Sequence, residues 1–276
     1  MSGDFVDGLV RSVSGMNVWL EHSHRLLAGL LALQVAALLI WALGAYRRVP
    51  GLLFPTIGAA AAVIIQALLG ALVVWNLVKV ELVTTHLGLG TATMALLIYV
   101  AARAAGPLRR PADVADARLW RFALFVTLVL WVQILVGGHL SGVAGGLAFK
   151  SDTALGVWSV GPITMEAEAV NVVHRYLAYV VAGLIMALGI RLKRRVGNAA
   201  LTWIRIAAGL TALQILLGIA NLYSDLSFVS VIPHLAVASW MLAAMVMVVV
   251  RLSAPDDTHG AERLVVPRGA DVGASA

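Results

Sequence analysis

The sequence predicts an all-α integral membrane protein of about seven transmembrane helices, arranged as two pseudo-twofold-related bundles. Three observations carry that expectation. The 276 residues are 61% hydrophobic and 12% charged, with a mean hydropathy of +0.93, more apolar surface than one water-soluble core can hide. Seven apolar stretches approach the roughly 20 residues that cross a bilayer. Lysine and arginine concentrate in alternate connections, as the positive-inside rule requires.

The spans run over about 23–45, 52–75, 82–104, 119–138, 168–191, 199–221 and 227–250. The opening "MSGDFVDGLVRSVSGMN" lacks the basic start, apolar middle and cleavage site of a signal peptide and reads as mature N-terminal sequence. Arg47 and Arg48 follow the first span, Arg103, Arg109, Arg110, Arg118 and Arg121 surround the third connection, Arg191, Lys193, Arg194 and Arg195 follow the fifth, and Arg251 the seventh. These connections are expected on the cytoplasmic side. Those near Lys79, from 139 to 167 and near Asp225 are expected outside with the N-terminus. The protein thus reads as a multi-pass cell-membrane protein in contact with lipid, and its net charge of +6 is topology. A nucleic-acid surface would need exposed basic and aromatic residues together. The tail from Ser253, without periodicity, is expected to be disordered and cytoplasmic.

An internal repeat divides the chain further. "HRLLAGLLALQVAALLIWALGAYRR" from His24 aligns with "HRYLAYVVAGLIMALGIRLKRR" from His174, "QALLG" at Gln66 with "QILLG" at Gln214, and "THLGLG" around His86 with "PHLAVA" around His234. Gln66 to His86 and Gln214 to His234 each span 20 residues. The expected organisation is an extracytoplasmic N-terminal segment (1–21), a first helical half (22–104), a connector with the fourth helix and a long outer loop (105–170), a second half (171–251) and the tail (252–276). Both halves start outside, so the repeat is parallel, with its pseudo-twofold axis along the membrane normal.

The repeat gives the histidines a meaning. His24 and His86 fall at matched depth near the outer ends of two inward-running helices, and His174 and His234 repeat the arrangement. A planar cofactor with two axial positions wants this placement, and haem iron accepts imidazole from both faces. One bis-histidine haem per half is the expectation, with its iron held by His24 and His86 or by His174 and His234. A lone intramembrane histidine is readily a packing residue bonded across helices, but ionisable groups at membrane depth are costly and usually functional, and four at repeated positions resist the packing account. Zinc or copper fits less well, because His86, His174 and His234 have no second ligand one helical turn away. His22, two residues from His24, faces another side of the helix. His139 and His259 have no repeat partner and read as structural or solvated.

Arg25 and Arg175 follow the ligand candidates, where a guanidinium can snorkel to headgroups or pair with haem propionates. Gln66 and Gln214, each four residues before a glycine, read as cross-helix packing residues. Glu21 is the asymmetric element. It stands one turn before His24, whereas Asn171 takes that place before His174, and Glu166 and Glu168 read as solvated outer-loop residues. A carboxylate at a haem edge can move protons during oxidation, whereas a bare bis-histidine site suits electron transfer. The first half is therefore expected to bind a substrate and the second a permanent cofactor.

These residues, from "EHSHR" through the two "QxLLG" segments to the "THL" and "PHL" histidines, resemble the haem A synthase family over about residues 18–250. The resemblance implies an oxidoreductase that converts the methyl group of haem O to the formyl of haem A. By position it implies His24 and His86 on the substrate haem, His174 and His234 on a haem b cofactor, and Glu21 as the catalytic acid. It also implies haem O synthase and terminal-oxidase assembly as the setting for partners, and is compatible with an oligomer. "GGHLSGVAGGLAF" resembles the family's Gly-rich outer segment. Two departures stand out. The family is usually eight-helical, and only short polar sequence stands where its first helix would fall; either the chain starts late or this member lacks a helix, which opens the first site to lipid. The outer-loop cysteine pair of many members is absent, with Phe149 in the place of one, so electrons must arrive without a thiol step. Two rivals remain at this point: a di-haem b-type membrane cytochrome that passes electrons without modifying haem, and a transporter on the same parallel repeat.

Overall fold

A computed structural model describes residues 3–45, 47, 51–76, 79–105, 117–143, 166–194, 199–224 and 227–253, with side chains in the first helix from residue 18 onward. Seven helices follow in order: α1 (Gly3–Ala45), α2 (Leu53–Trp75), α3 (Val80–Ala104), α4 (Ala117–Gly142), α5 (Glu166–Lys193), α6 (Ala199–Tyr223) and α7 (Phe228–Ser253). Each contains a stretch long and apolar enough to cross a membrane, and large side chains such as Leu26, Phe54, Leu68, Met186 and Trp240 are exposed as lipid-facing residues would be. The chain is an all-α, multi-pass membrane protein. His259 and residues 144–149 of the Gly-rich outer segment, Phe149 among them, lie outside the described residues.

Two boundaries differ from expectation. α1 crosses the division expected at residue 21, because no proline interrupts residues 3–45. α5 begins at Glu166, so Glu166 and Glu168 occupy its first turn rather than a loop. Acidic side chains there complement the unsatisfied N–H groups and the positive end of the helix dipole.

The helices pack as the repeat suggests. α1 lies on α2 and α2 on α3, while α5 lies on α6 and α6 on α7; α3 and α7, repeat equivalents, also touch. α4 packs against α3, α5 and α7. The best-buried core is in the second half and α4, where Ile185, Leu188 and Leu192 of α5 meet Ile204 of α6, Met245 and Val248 of α7 and Val126 of α4. In the first half burial is thinner. Among the described side chains of α1, Val35 and Ala42 are the buried hydrophobics, and the rest of its described apolar span is mostly exposed. The difference has a simple cause: α5 is flanked by both α4 and α6, whereas α1 packs chiefly on α2.

Close approach fixes α3 against α4. A Cβ at Gly138 would meet Leu87 at 2.4 Å, and one at Gly142 would meet Val80 at 2.5 Å, so these glycines let the helices approach as small residues do in lipid. Trp131 of α4 donates its indole N–H to Thr91 Oγ1 at 2.9 Å across the same interface. At the basic end, the Arg191 guanidinium sits 4.3 Å over the Phe122 ring, a cation–π contact between α5 and α4.

Candidate functional site

The first histidine pair comes together across α1 and α3. The rings of His24 and His86 lie 6.3 Å apart between centroids, with planes inclined at 57°. Metal–imidazole bonds of roughly 2 Å on each side of a shared ion would set two ring centroids about 6 Å apart, so the separation would let both rings hold one iron between them. His24 is exposed and His86 half-buried. The difference follows from the packing: α3 is enclosed by α2, α4 and α7, whereas α1 is not.

His86 is held from α2. Gln66 donates from Nε2 to the His86 main-chain carbonyl at 2.8 Å, reaching it over Gly90, where a Cβ would stand 2.9 Å from that nitrogen. One turn further along α2, Gly70 faces the imidazole: a Cβ there would lie 3.2 Å from His86 Cε1. The expected cross-helix role of Gln66 is therefore met at the backbone of residue 86. The Nδ1 of His86 is buried and makes no hydrogen bond, an orphaned polar atom that a packing histidine would be costly to leave.

The second half repeats the arrangement in a more enclosed setting. His174 of α5 and His234 of α7 stand at the repeat-equivalent positions, both half-buried where His24 is exposed. His234 packs on Gly218 of α6, where a Cβ would lie 3.4 Å from Cε1, and its Nδ1 is likewise buried without a hydrogen bond. Pro233 precedes it inside α7, and the missing N–H frees a main-chain carbonyl one turn earlier.

One residue of this site was missed in the sequence. Gln133 of α4, buried at 8% exposure, donates from Nε2 to the His174 main-chain carbonyl at 2.9 Å, the same bond that Gln66 makes to His86. Its signal was present: "QILVG" at Gln133 repeats the Gln-x-x-x-Gly spacing of "QALLG" and "QILLG". It was hidden because α4 falls outside the aligned three-helix units.

The asymmetric pair is placed differently. Glu21 accepts a hydrogen bond from Arg25 Nη2 within one turn of α1, both side chains more than half exposed. Asn171, its repeat counterpart, is 2% exposed. Arg25 thus pairs with Glu21 here, leaving the carboxylate on the same turn as His24. His22 is exposed beside it. His139, expected as structural or solvated, has its Nε2 3.1 Å from Glu166 Oε1, which ties the end of α4 to the start of α5.

Fold and site together define a class: a multi-pass helical membrane protein that brings His24 and His86 together from separate helices and sets His174 and His234 at the repeat-equivalent positions. The chain belongs to the COX15-CtaA family, cytochrome oxidase assembly proteins, whose sequence profile matches residues 8–246. It is 28% identical to the haem A synthase of Rhizorhabdus wittichii over 243 residues, 82% of this chain and 69% of that protein. It is 27% identical to the haem A synthase of Shouchella clausii over 173 residues, 61% of this chain and 57% of that one. With the haem A synthase of Sphingopyxis alaskensis the identity is 26% over 252 residues, 84% of this chain and 69% of that protein.

Proposed function

We propose that this protein is a haem A synthase: it binds haem O between His24 and His86 and oxidises a methyl group, by way of a hydroxylated product, to the formyl of haem A, an external oxidant supplying the oxygen atom and accepting the electrons. The observation that carries the reading is the 6.3 Å separation of the His24 and His86 rings, which suits axial ligation, in a chain whose curated relatives are haem A synthases. His174 and His234 would hold a haem b, which when bound supplies one-electron transfer. The residues do the rest. His86, fixed from α2, anchors one face of the substrate. His24, on the exposed helix, meets the other face and leaves a path for exchange with lipid. Glu21 holds or passes protons beside His24, and Arg25, its partner, can turn to a propionate; Arg175 plays that part in the second half. The helix ends bearing these histidines face the extracytoplasmic side of the cell membrane, by the placement of the arginines. Haem O synthase and terminal-oxidase assembly proteins are the proposed neighbours in the pathway.

The test is expression in a host that makes haem O, followed by haem extraction. Haem A or its hydroxylated precursor supports the reading, and haem b alone supports a di-haem cytochrome instead. His24→Ala should abolish conversion while leaving haem b in place, and His174→Ala should remove haem b. Identical behaviour of the two variants would overturn the division of labour between the halves.

A further inference from the structure

The contact on α4 goes beyond the helix-to-carbonyl bond it shares with Gln66. The same Gln133 Nε2 that lies 2.9 Å from the His174 carbonyl is also 3.1 Å from Nδ1 of the His174 ring. Four residues on, Gly137 presents bare backbone to that ring, with a Cβ position only 2.8 Å from Cε1. The imidazole is therefore bounded by an amide at one edge and by a glycine at the next. We propose that Gln133 and Gly137 are the positioning pair for His174, fixing its tilt and which of its nitrogens meets the iron of the second-half haem. The proposal rests on the reading above that His174 is a ligand.

Three features support it. The amide is tied to the main chain of α5 while its N–H faces Nδ1, so it holds that edge of the ring. The amide N–H donates, so Nδ1 accepts here and the ring proton sits on Nε2; ligation through Nε2 moves that proton to Nδ1, and the partner of the second nitrogen is what orients a ligating histidine and raises its basicity. His86 and His234 differ, for their Nδ1 atoms are buried without hydrogen bonds, and His24 is exposed.

The third feature is the other end of the amide. Gln133 Oε1 is buried with no hydrogen-bond partner, a cost that an apolar side chain of similar size would avoid. Packing alone does not explain a glutamine here. An amide can offer Nδ1 either a donor or an acceptor: once Nε2 binds iron and Nδ1 carries the ring proton, the amide turns, gives up its bond to the His174 carbonyl and presents the unpartnered oxygen to Nδ1–H. A bonded Nδ1–H makes the imidazole a stronger donor to iron, which favours the oxidised haem and lowers its potential.

The experiment uses the full chain purified from a host making only haem b, in a His24→Ala background so that the second-half haem is read alone. Haem affinity, the low-spin electron paramagnetic resonance signature and the midpoint potential are measured. Gln133→Leu should weaken haem binding by about 10- to 100-fold, and the haem that remains should have a shifted resonance spectrum and a raised potential. Gln133→Glu, which keeps shape and an acceptor for Nδ1–H, should restore haem content and lower the potential below that of Gln133. Thr91→Val removes a buried hydrogen bond from the neighbouring α3–α4 interface and should move none of the three readouts, which separates positioning from general loosening. Wild-type affinity, spectrum and potential in Gln133→Leu would overturn the proposal. If Gln133→Leu fails to accumulate, an unchanged potential in Gln133→Glu overturns it equally. A low-spin signal that survives His174→Ala refutes the ligand assignment itself, whatever Gln133 does.

Discussion

The three glycines that face histidines offer a graded test of whether those rings are held for ligation. Substitution by alanine places a methyl 2.8 Å from His174 Cε1 at position 137, 3.2 Å from His86 Cε1 at position 70 and 3.4 Å from His234 Cε1 at position 218. Carbon–carbon contacts relax to about 3.5–4.0 Å, so the ring must retreat by about 1 Å in Gly137→Ala, about half an ångström in Gly70→Ala, and hardly at all in Gly218→Ala. Metal–ligand distances in real sites hold to within about 0.2 Å of their usual values. Overpacking costs about 1–3 kcal/mol, against about 1 kcal/mol gained when alanine replaces glycine inside a helix. Gly218→Ala should therefore keep its haem and melt at a higher temperature. Gly70→Ala should lose first-half haem in part, and Gly137→Ala should lose most of the second-half haem. The assay is haem per polypeptide after extraction, with the low-spin optical spectrum, for the three variants side by side. Equal loss at 137 and 218, or full retention at 137, would refute the claim that these glycines exist to admit the imidazoles.

Other expectations follow from single contacts. Glu21→Gln should leave thermal stability unchanged, because an exposed pair within one helical turn contributes little, yet conversion of haem O should fall; normal turnover would remove Glu21 from the mechanism. Gln66→Leu should cost about 1 kcal/mol, the net worth of its bond to the His86 carbonyl, and reduce first-half haem retention, read by thermal unfolding and haem extraction. Thr91→Val strands the Trp131 indole N–H and should lower stability by about 1–3 kcal/mol, seen as a lower melting temperature in detergent with haem content intact.

How much of the site was legible beforehand depends on whether a residue's partner lies in the same repeat. His24, His86, His174 and His234 were found because identical spacing copies them from one half to the other, and spacing on a helix fixes depth in a membrane. Gln66 was seen but read as packing, since sequence shows a polar residue at mid-helix without showing which backbone atom it reaches. Gln133 was passed over entirely. Its spacing to a glycine was in plain view, but its purpose depends on α4 lying against α5, a neighbour relation that no periodicity encodes.

The sequence by itself determined the class, because lipid forces backbone polar groups into helices and the length of each apolar run fixes how many can span. It also singled out the repeated histidines and Glu21, whose place before His174 is taken by Asn171; these are matters of composition and register. The tertiary structure alone decided how well each histidine is held. His174 is enclosed by α4 and bonded at its ring, His86 is braced by α2, and His24 stands on a helix with one main neighbour. That difference arises from which helix surfaces meet, and side-chain confinement is a property of the assembled bundle rather than of any segment within it.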